Sequence, residues 1–126
     1  MNDRDVPFAA ESYISLETFK RDGTGVKTPV WTAPLGRELI VFSAGNAYKV
    51  KRLRRDPRIR VAACDVRGNV RGEWREGKGR LIEDPSEVTR AHAALRAKYG
   101  WQMAMTDFFA TLTGRKAKRA YLALAL

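Results

Sequence analysis

The sequence holds one cysteine, one histidine and no apolar run of membrane length. Cys64 has no partner for an internal disulfide, and its setting in the run VAAC reads as a small buried hydrophobe rather than a nucleophile. His92 stands amid alanines on a predicted helix, with no second histidine and no cysteine at metal-ligand spacing, so a metal site is not expected and a surface or packing role is. GxGxxG, GxxxxGK[ST] and GxSxG are all missing, which removes the standard phosphate loops and the hydrolase elbow. An enzyme built from this inventory draws its chemistry from a bound cofactor. No apolar run approaches the roughly 18 residues of a membrane span, and the opening MNDRDVPFAAES has neither the basic nor the apolar region of a signal peptide. The expectation is a cytoplasmic protein with no membrane partner.

Acidic residues are also scarce. Fourteen Asp and Glu face 24 Lys and Arg, for a formal net charge of +10. Such an excess implies an anionic partner: nucleic acid, an anionic surface or a highly charged small molecule. At 126 residues with 44% hydrophobic and 10% aromatic content, the chain is expected to fold as a single domain over residues 1–126.

Tyr13 to Phe19 alternates as a half-buried strand does, with Ile14, Leu16 and Thr18 on one face. RDGTG supplies a turn into a second strand, Val26 to Thr32, and the pair reads as a hairpin. APLGR punctuates the chain before a third strand, Glu38 to Ser43. Asn46 is placed to cap a short helix from Ala47 to Arg55, with Ala47, Val50, Leu53 and Arg54 on one side and Pro57 as the stop. A fourth strand, Arg58 to Asp65, is partnered across VRGN by GEWREGKGRLIE, where Gly77 and Gly79 suggest a bulge or sharp bend. A helix from Asp84 or Ser86 to Tyr99, ended by Gly100, a shorter one from Met103 to Leu112 and the basic RKAKR follow, and the ending Ala120 to Leu126, helical by Ala and Leu propensity, is assigned as a closing strand by its position in the chain. Six or so short antiparallel strands with short helices give a mainly β fold with some α, a curled sheet or barrel with helices at its ends.

Two stretches invite a ligand. In SAGNAYKVKRLRRDP, Lys49, Lys51 and Arg52 crowd a helix start, where the macrodipole already places partial positive charge. Either this is a solvated basic face, or dipole, backbone amides and ammonium act together on a phosphate or carboxylate. Arg54, Arg55, Arg58 and Arg60 fit the solvated face in either case. In TPVWT, Pro29 removes a ladder donor inside a strand and so implies an edge, a bulge or a gap. Thr28 and Trp31 would flank a flat aromatic ligand there, unless Trp31 is plain core.

In order, YISLETFKRDGTGVKTPVW, ELIVFSAGNAYKVKRLRRDPRIRVAACD and GEWREGKGRLIEDP resemble the split β-barrel flavin and deazaflavin oxidoreductases, the superfamily of pyridoxamine 5'-phosphate (PNP) oxidase. K-x-K-R-L-x-x-D-P followed by G-x-G-x-x-x-x-D-P is most similar to its coenzyme F420-dependent reductase branch. The resemblance covers Tyr13 to Pro85 well and the remainder more loosely. It implies an FMN-binding type of split barrel that forms a homodimer, with cofactor clefts at the dimer interface. It further implies hydride transfer from the reduced deazaflavin to an unsaturated or conjugated small organic substrate. By position, Lys49 matches the phosphate-binding lysine and Lys51 a second basic position near the phosphate and glutamyl tail. Thr28, Pro29, Val30 and Trp31 match the strand along the deazaflavin ring, and Ser43 matches the hydroxyl residue ending the next strand. Arg52, with Arg54 and Arg55, either guides the tail or is solvated.

Where the FMN oxidases of this superfamily place Ser-Arg-Lys on the phosphate, this chain has Ala47, Tyr48 and Lys49. The departure weakens the case for FMN and favours F420, whose lactyl oligoglutamate tail makes it a polyanion suited to a basic chain. The alternatives are an FMN-dependent oxidoreductase on the same fold and a non-catalytic carrier of cofactor or haem. Nucleic-acid binding is not expected, because no array of aromatics interleaves with the basic run. No residue is identified as catalytic or as proton donor. Trp101, Met103 and Phe108 are either pocket wall or core.

Overall fold

The computed structural model describes residues 6–114 and 118–126. Its elements are β1 (Tyr13–Phe19), β2 (Gly25–Val30), β3 (Ala33–Leu35), β4 (Glu38–Ala44), α1 (Tyr48–Arg55), β5 (Arg58–Cys64), β6 (Arg75–Ile82), α2 (Pro85–Tyr99), α3 (Trp101–Leu112) and β7 (Arg119–Ala125). Seven strands make one sheet in the order β2-β1-β5-β6-β7-β4-β3, antiparallel throughout. Of the basic run Arg115–Arg119, residues 115–117 lie outside the described residues, as do residues 1–5 of the opening segment.

Alternation along the strands sorts the side chains into two cores. On the concave side Ile14 and Leu16 of β1, Val41 of β4, Val61 of β5 and Leu122 and Leu124 of β7 close on one another, and Leu53 of α1 packs into the same cluster. Burying each Leu or Ile there contributes about 1.5–3 kcal/mol. On the other side α2 and α3 lay Ala91, Leu95 and Met103 onto Ile40 of β4 and Tyr121 of β7. Asp84 caps α2 by accepting the Glu87 N–H at 3.0 Å, with Pro85 in the first turn. Gly100, at φ +57°, lets α2 stop and α3 start with no intervening loop, a conformation in which a side chain would be strained.

The structure departs from the sequence reading in several places. The sheet has seven strands rather than six or so, because APLGR is not mere punctuation: Ala33–Leu35 pairs with Glu38–Ile40 at the sheet edge. An edge strand tolerates Pro34, which cannot donate to a ladder. The second strand ends at Val30, so Thr32 falls outside it. The first strand is buried on both faces, since Ser15 and Glu17 are only 1% and 5% exposed. It runs inside the sheet between β2 and β5, where the Arg60 guanidinium pairs with Glu17 at 3.0 Å and rests 5.0 Å from the Trp74 ring centre. Asn46 does not cap α1; the N-cap is Ala47, one residue later, after the chain is held by the Gly45 N–H donating to Lys118 O. Arg54 is exposed while Val50 and Leu53 are buried, so it does not share their side. Gly77 and Gly79 lie in a continuous ladder where β6 passes from pairing with β5 to pairing with β7. What they meet is close approach: a Cβ on Gly77 would sit 2.3 Å from Ala125 O.

Candidate functional site

α1 turns Val50 and Leu53 into the barrel and leaves its cations outside. No side chain caps it and its first turn holds no acid, while Ala47 O takes the Val50 and Lys51 N–H groups. Arg52, Arg54 and Arg55 in the last turn suit the negative end of the dipole. Lys49 at the opposite end does not, and an exposed N-terminal turn with a lysine is the arrangement that holds phosphate.

Facing α1 is the β1–β2 turn. Lys20 and Arg21 from that turn, with Tyr48, Lys51, Arg52 and Arg55 from α1, line a cleft of about 540 Å³. The Arg55 guanidinium donates to Phe19 O, and Arg52 Nη1 lies 3.5 Å from Thr18 Oγ1, so helix and hairpin are joined at the cleft floor. Lys51 Nζ and Arg52 Cζ lie 5.3 Å and 5.8 Å from the ring centre of Tyr48, which is itself 72% exposed. No carboxylate lines this cleft. Among the described residues none of its five cations makes an ion pair, whereas the neighbouring Arg58 and Arg60 are paired with Asp56 and Glu17.

Lys49 is half-buried, and burial first, then the charge of Arg52, pulls its ammonium below the ordinary lysine value. Both causes disfavour the cation, and an anion beside it would relieve both. Lys49 is not in the lining of the cleft that holds Lys51 and Arg52.

Thr28, Pro29 and Val30 lie on β2, the free edge of the sheet, which is where the missing N–H of Pro29 costs least. Trp31 follows the strand. Its indole stacks on Tyr99 at 4.4 Å between centroids and 8° between planes, and meets Phe42 edge-on at 6.2 Å. Tyr99 is fixed in turn: its hydroxyl donates to Ser12 O at 2.7 Å and accepts the Thr32 N–H at 3.0 Å, and burial raises its pKa to about 12. One face of Trp31 therefore belongs to α2 packing.

Ser43 ends up elsewhere. With Phe42, Ala44, Gly45 and Asn46 it forms one side of a second cleft of about 1220 Å³, the other side being α3 and the start of β7. Within one chain, then, Lys51 and Arg52 share a cleft, Ser43 borders another, and Lys49 and Thr28–Trp31 line neither. Of the three apolar residues weighed as pocket wall, Met103 is buried core, and Trp101 and Phe108 are exposed at 75% and 59% without lining either cleft.

Sequence reasoning missed the arrangement around His92. Its Nε2 lies 2.7 Å from Asp107 Oδ2, and Asp107 Oδ1 accepts from Arg119 Nη1 at 2.8 Å, so one buried carboxylate ties α2, α3 and β7. An acid fifteen residues from a lone histidine, across a helix break, carries no local signal. No group of three His, Cys, Asp or Glu able to hold a metal ion occurs among the described residues, and no helix there is long and apolar enough to cross a membrane.

No protein-family model and no curated protein matches the chain. Solved structures do. A putative pyridoxamine 5'-phosphate oxidase from Listeria innocua superposes with a TM-score of 0.63 at 15% identity, over 91% of this chain and 83% of that one. The haem storage protein HutZ from Vibrio cholerae gives 0.68 at 12%, over 92% and 82%. A protein described as an F420 reductase gives 0.59 at 17%, over 94% and 89%. The chain thus has the PNP oxidase-like split-barrel fold, and its fold neighbours include oxidoreductases and haem proteins.

Proposed function

We propose that this protein is a coenzyme F420-dependent reductase, which passes a hydride from the reduced deazaflavin to an unsaturated or conjugated small organic substrate. The observation that carries the reading is the cleft at α1: five cations, an exposed tyrosine and no lining carboxylate, beside a helix start that lacks a capping side chain. A mononucleotide phosphate needs one such anchor; an oligoglutamate tail needs a row of them. The donor set fits the polyanion, and the apolar Ala47 at the N-cap offers no hydroxyl to an FMN phosphate.

In this reading Lys49 and the first-turn amides of α1 hold the phosphate, and Lys51 and Arg52 the tail, with Lys20, Arg21 and Arg55 enlarging the same field. Thr28, Pro29 and Val30 give the ring a strand edge, and Trp31, braced by Tyr99, keeps that edge from shifting. When bound, the deazaflavin supplies the hydride; the chain supplies orientation and exclusion of water. A second copy of the chain brings the separated parts into one interface cleft, so the protein works as a homodimer on a small-molecule substrate.

Binding titrations with F420 and FMN side by side, on the wild type and on Lys49→Ala, test this. The reading expects F420 to bind more tightly and to lose affinity in the variant. Tight FMN binding with no response to F420 would transfer the assignment to an FMN oxidoreductase. A haem carrier is the alternative drawn from HutZ, and it is less favoured because His92, the sequence's one histidine, has Nε2 engaged by Asp107.

A further inference from the structure

We propose that the second cleft, between the end of β4 and α3, is a binding site for a small anion that joins a carboxylate to an aromatic or conjugated apolar body. Thr106, Phe109 and Ala110 of α3 and Thr113 at its C-cap recur at helical spacing and so present one face to it. The facing wall is the rigid β4–β7 ladder, where Ser43 pairs with Ala120 and Ala44 with Arg119. The depth is built in, because Gly45 lies so close to β7 that a Cβ there would stand 2.4 Å from Lys118 O. At about 1220 Å³ the cleft is of the size that takes a small organic molecule.

Its chemistry is specific in sign. Among the described residues of the lining Lys118 and Arg119 are the ionisable ones, and no carboxylate is among them. The Arg119 side chain is 5% exposed and its charge is matched by Asp107 behind it, leaving Lys118 as the cation without an ion pair among the described residues. That cation calls for an anionic group. Beside the Asn46 amide the rest of the described lining is apolar or hydroxyl-bearing, and Phe109 offers a ring that is 56% exposed, an aromatic surface in water that a flat ligand would cover. The Thr106 and Thr113 hydroxyls are bonded to Gln102 O and Phe109 O of α3, whereas the hydroxyl of Ser43, which also lines the cleft, has no such bond among the described residues.

Binding at this site needs no cofactor. That the ligand is also the hydride acceptor rests on the reading above: Ser43 to Asn46 form the rim, and α1 begins two residues further on, so the two sites adjoin along the chain.

Cinnamate, an aromatic conjugated carboxylate, is the probe, titrated without F420 or FMN into ¹⁵N-labelled protein and followed by amide shifts. Saturable shifts are expected at Ser43, Gly45, Thr106, Phe109 and Thr113. Lys118→Ala should weaken binding about threefold and Phe109→Ala about tenfold, since both side chains are exposed and neither holds the fold together. Neutral cinnamamide, measured on the wild type, should bind more weakly than cinnamate. Shifts that do not saturate, that centre on other residues, or that are equal for cinnamate and cinnamamide would overturn the proposal. Saturable cinnamate binding with no response to F420 would leave this site standing and remove the reductase.

Discussion

Lys49 shows how one residue's discomfort can be a sign of what it binds. Burial and Arg52 both lower its pKa from 10.5, so in the free protein the ammonium loses its proton earlier than an exposed lysine does. The fold bears the cost of the charged amine at every pH below the lowered value, and that cost fades as pH rises toward 10.5, where the unfolded chain also deprotonates. Lys49→Met should therefore raise the melting temperature at neutral pH while it weakens anion binding, a trade visible in a thermal scan paired with a titration. In the wild type, phosphate-bearing ligands should take up protons on binding at alkaline pH, which calorimetry in buffers of different ionisation enthalpy will read. Tyr99 is the brace behind Trp31. Tyr99→Phe strips partners from Ser12 O and the Thr32 N–H, and should cost about 1–3 kcal/mol in urea unfolding while loosening Trp31.

Elements are held together here by a few contacts across sequence. Asp107 joins α3 to α2 and β7, and Asp107→Asn leaves the nearly buried Arg119 without its counter-charge. A loss of about 3–5 kcal/mol is expected, with faster amide exchange along α3. Gly77→Ala should cost about 1–3 kcal/mol by pushing β6 from Ala125 O, whereas Gly72→Ala, with open space around its Cβ position, should be near neutral. These contacts mark the limit of what the sequence discloses. β1, β4, β5 and α2 were legible because periodicity, Asp-Gly, apolar runs and the Asp84-Pro85 start are local signals, whereas the closing strand was read from its place in the chain against the helix propensity of Ala and Leu. β3 was not, since three residues with a proline resemble a turn and become a strand only by pairing with β4. The burial of Glu17 was hidden for the same reason: it depends on Arg60, 43 residues away. The basic cleft was half legible. Lys51 and Arg52 stand out on α1, but Lys20 and Arg21 join them only when the first hairpin folds against that helix. The Ser43 cleft left no trace beyond Ser43, because its wall arrives with α3.

For the whole molecule, the net charge of +10 is unevenly countered: acids on β1, β4 and α2 neutralise Arg60 and Arg80, while the α1 cleft has none. F420 affinity should accordingly fall as salt is raised, because the cleft's cations are exposed and screened. On the proposed function sedimentation should find a dimer, because Lys49 and the β2 edge lie outside the lining of the α1 cleft within one chain. The central claim is that the α1 cleft grips a polyanionic tail. Its most direct test is the dissociation constant of F420 species that differ only in the number of glutamates, measured on the wild type and on the Lys51→Ala, Arg52→Ala double variant. Each added glutamate should tighten wild-type binding, by roughly threefold for the first few, and the double variant should flatten that dependence. Equal affinity for every tail length in the wild type would contradict the account.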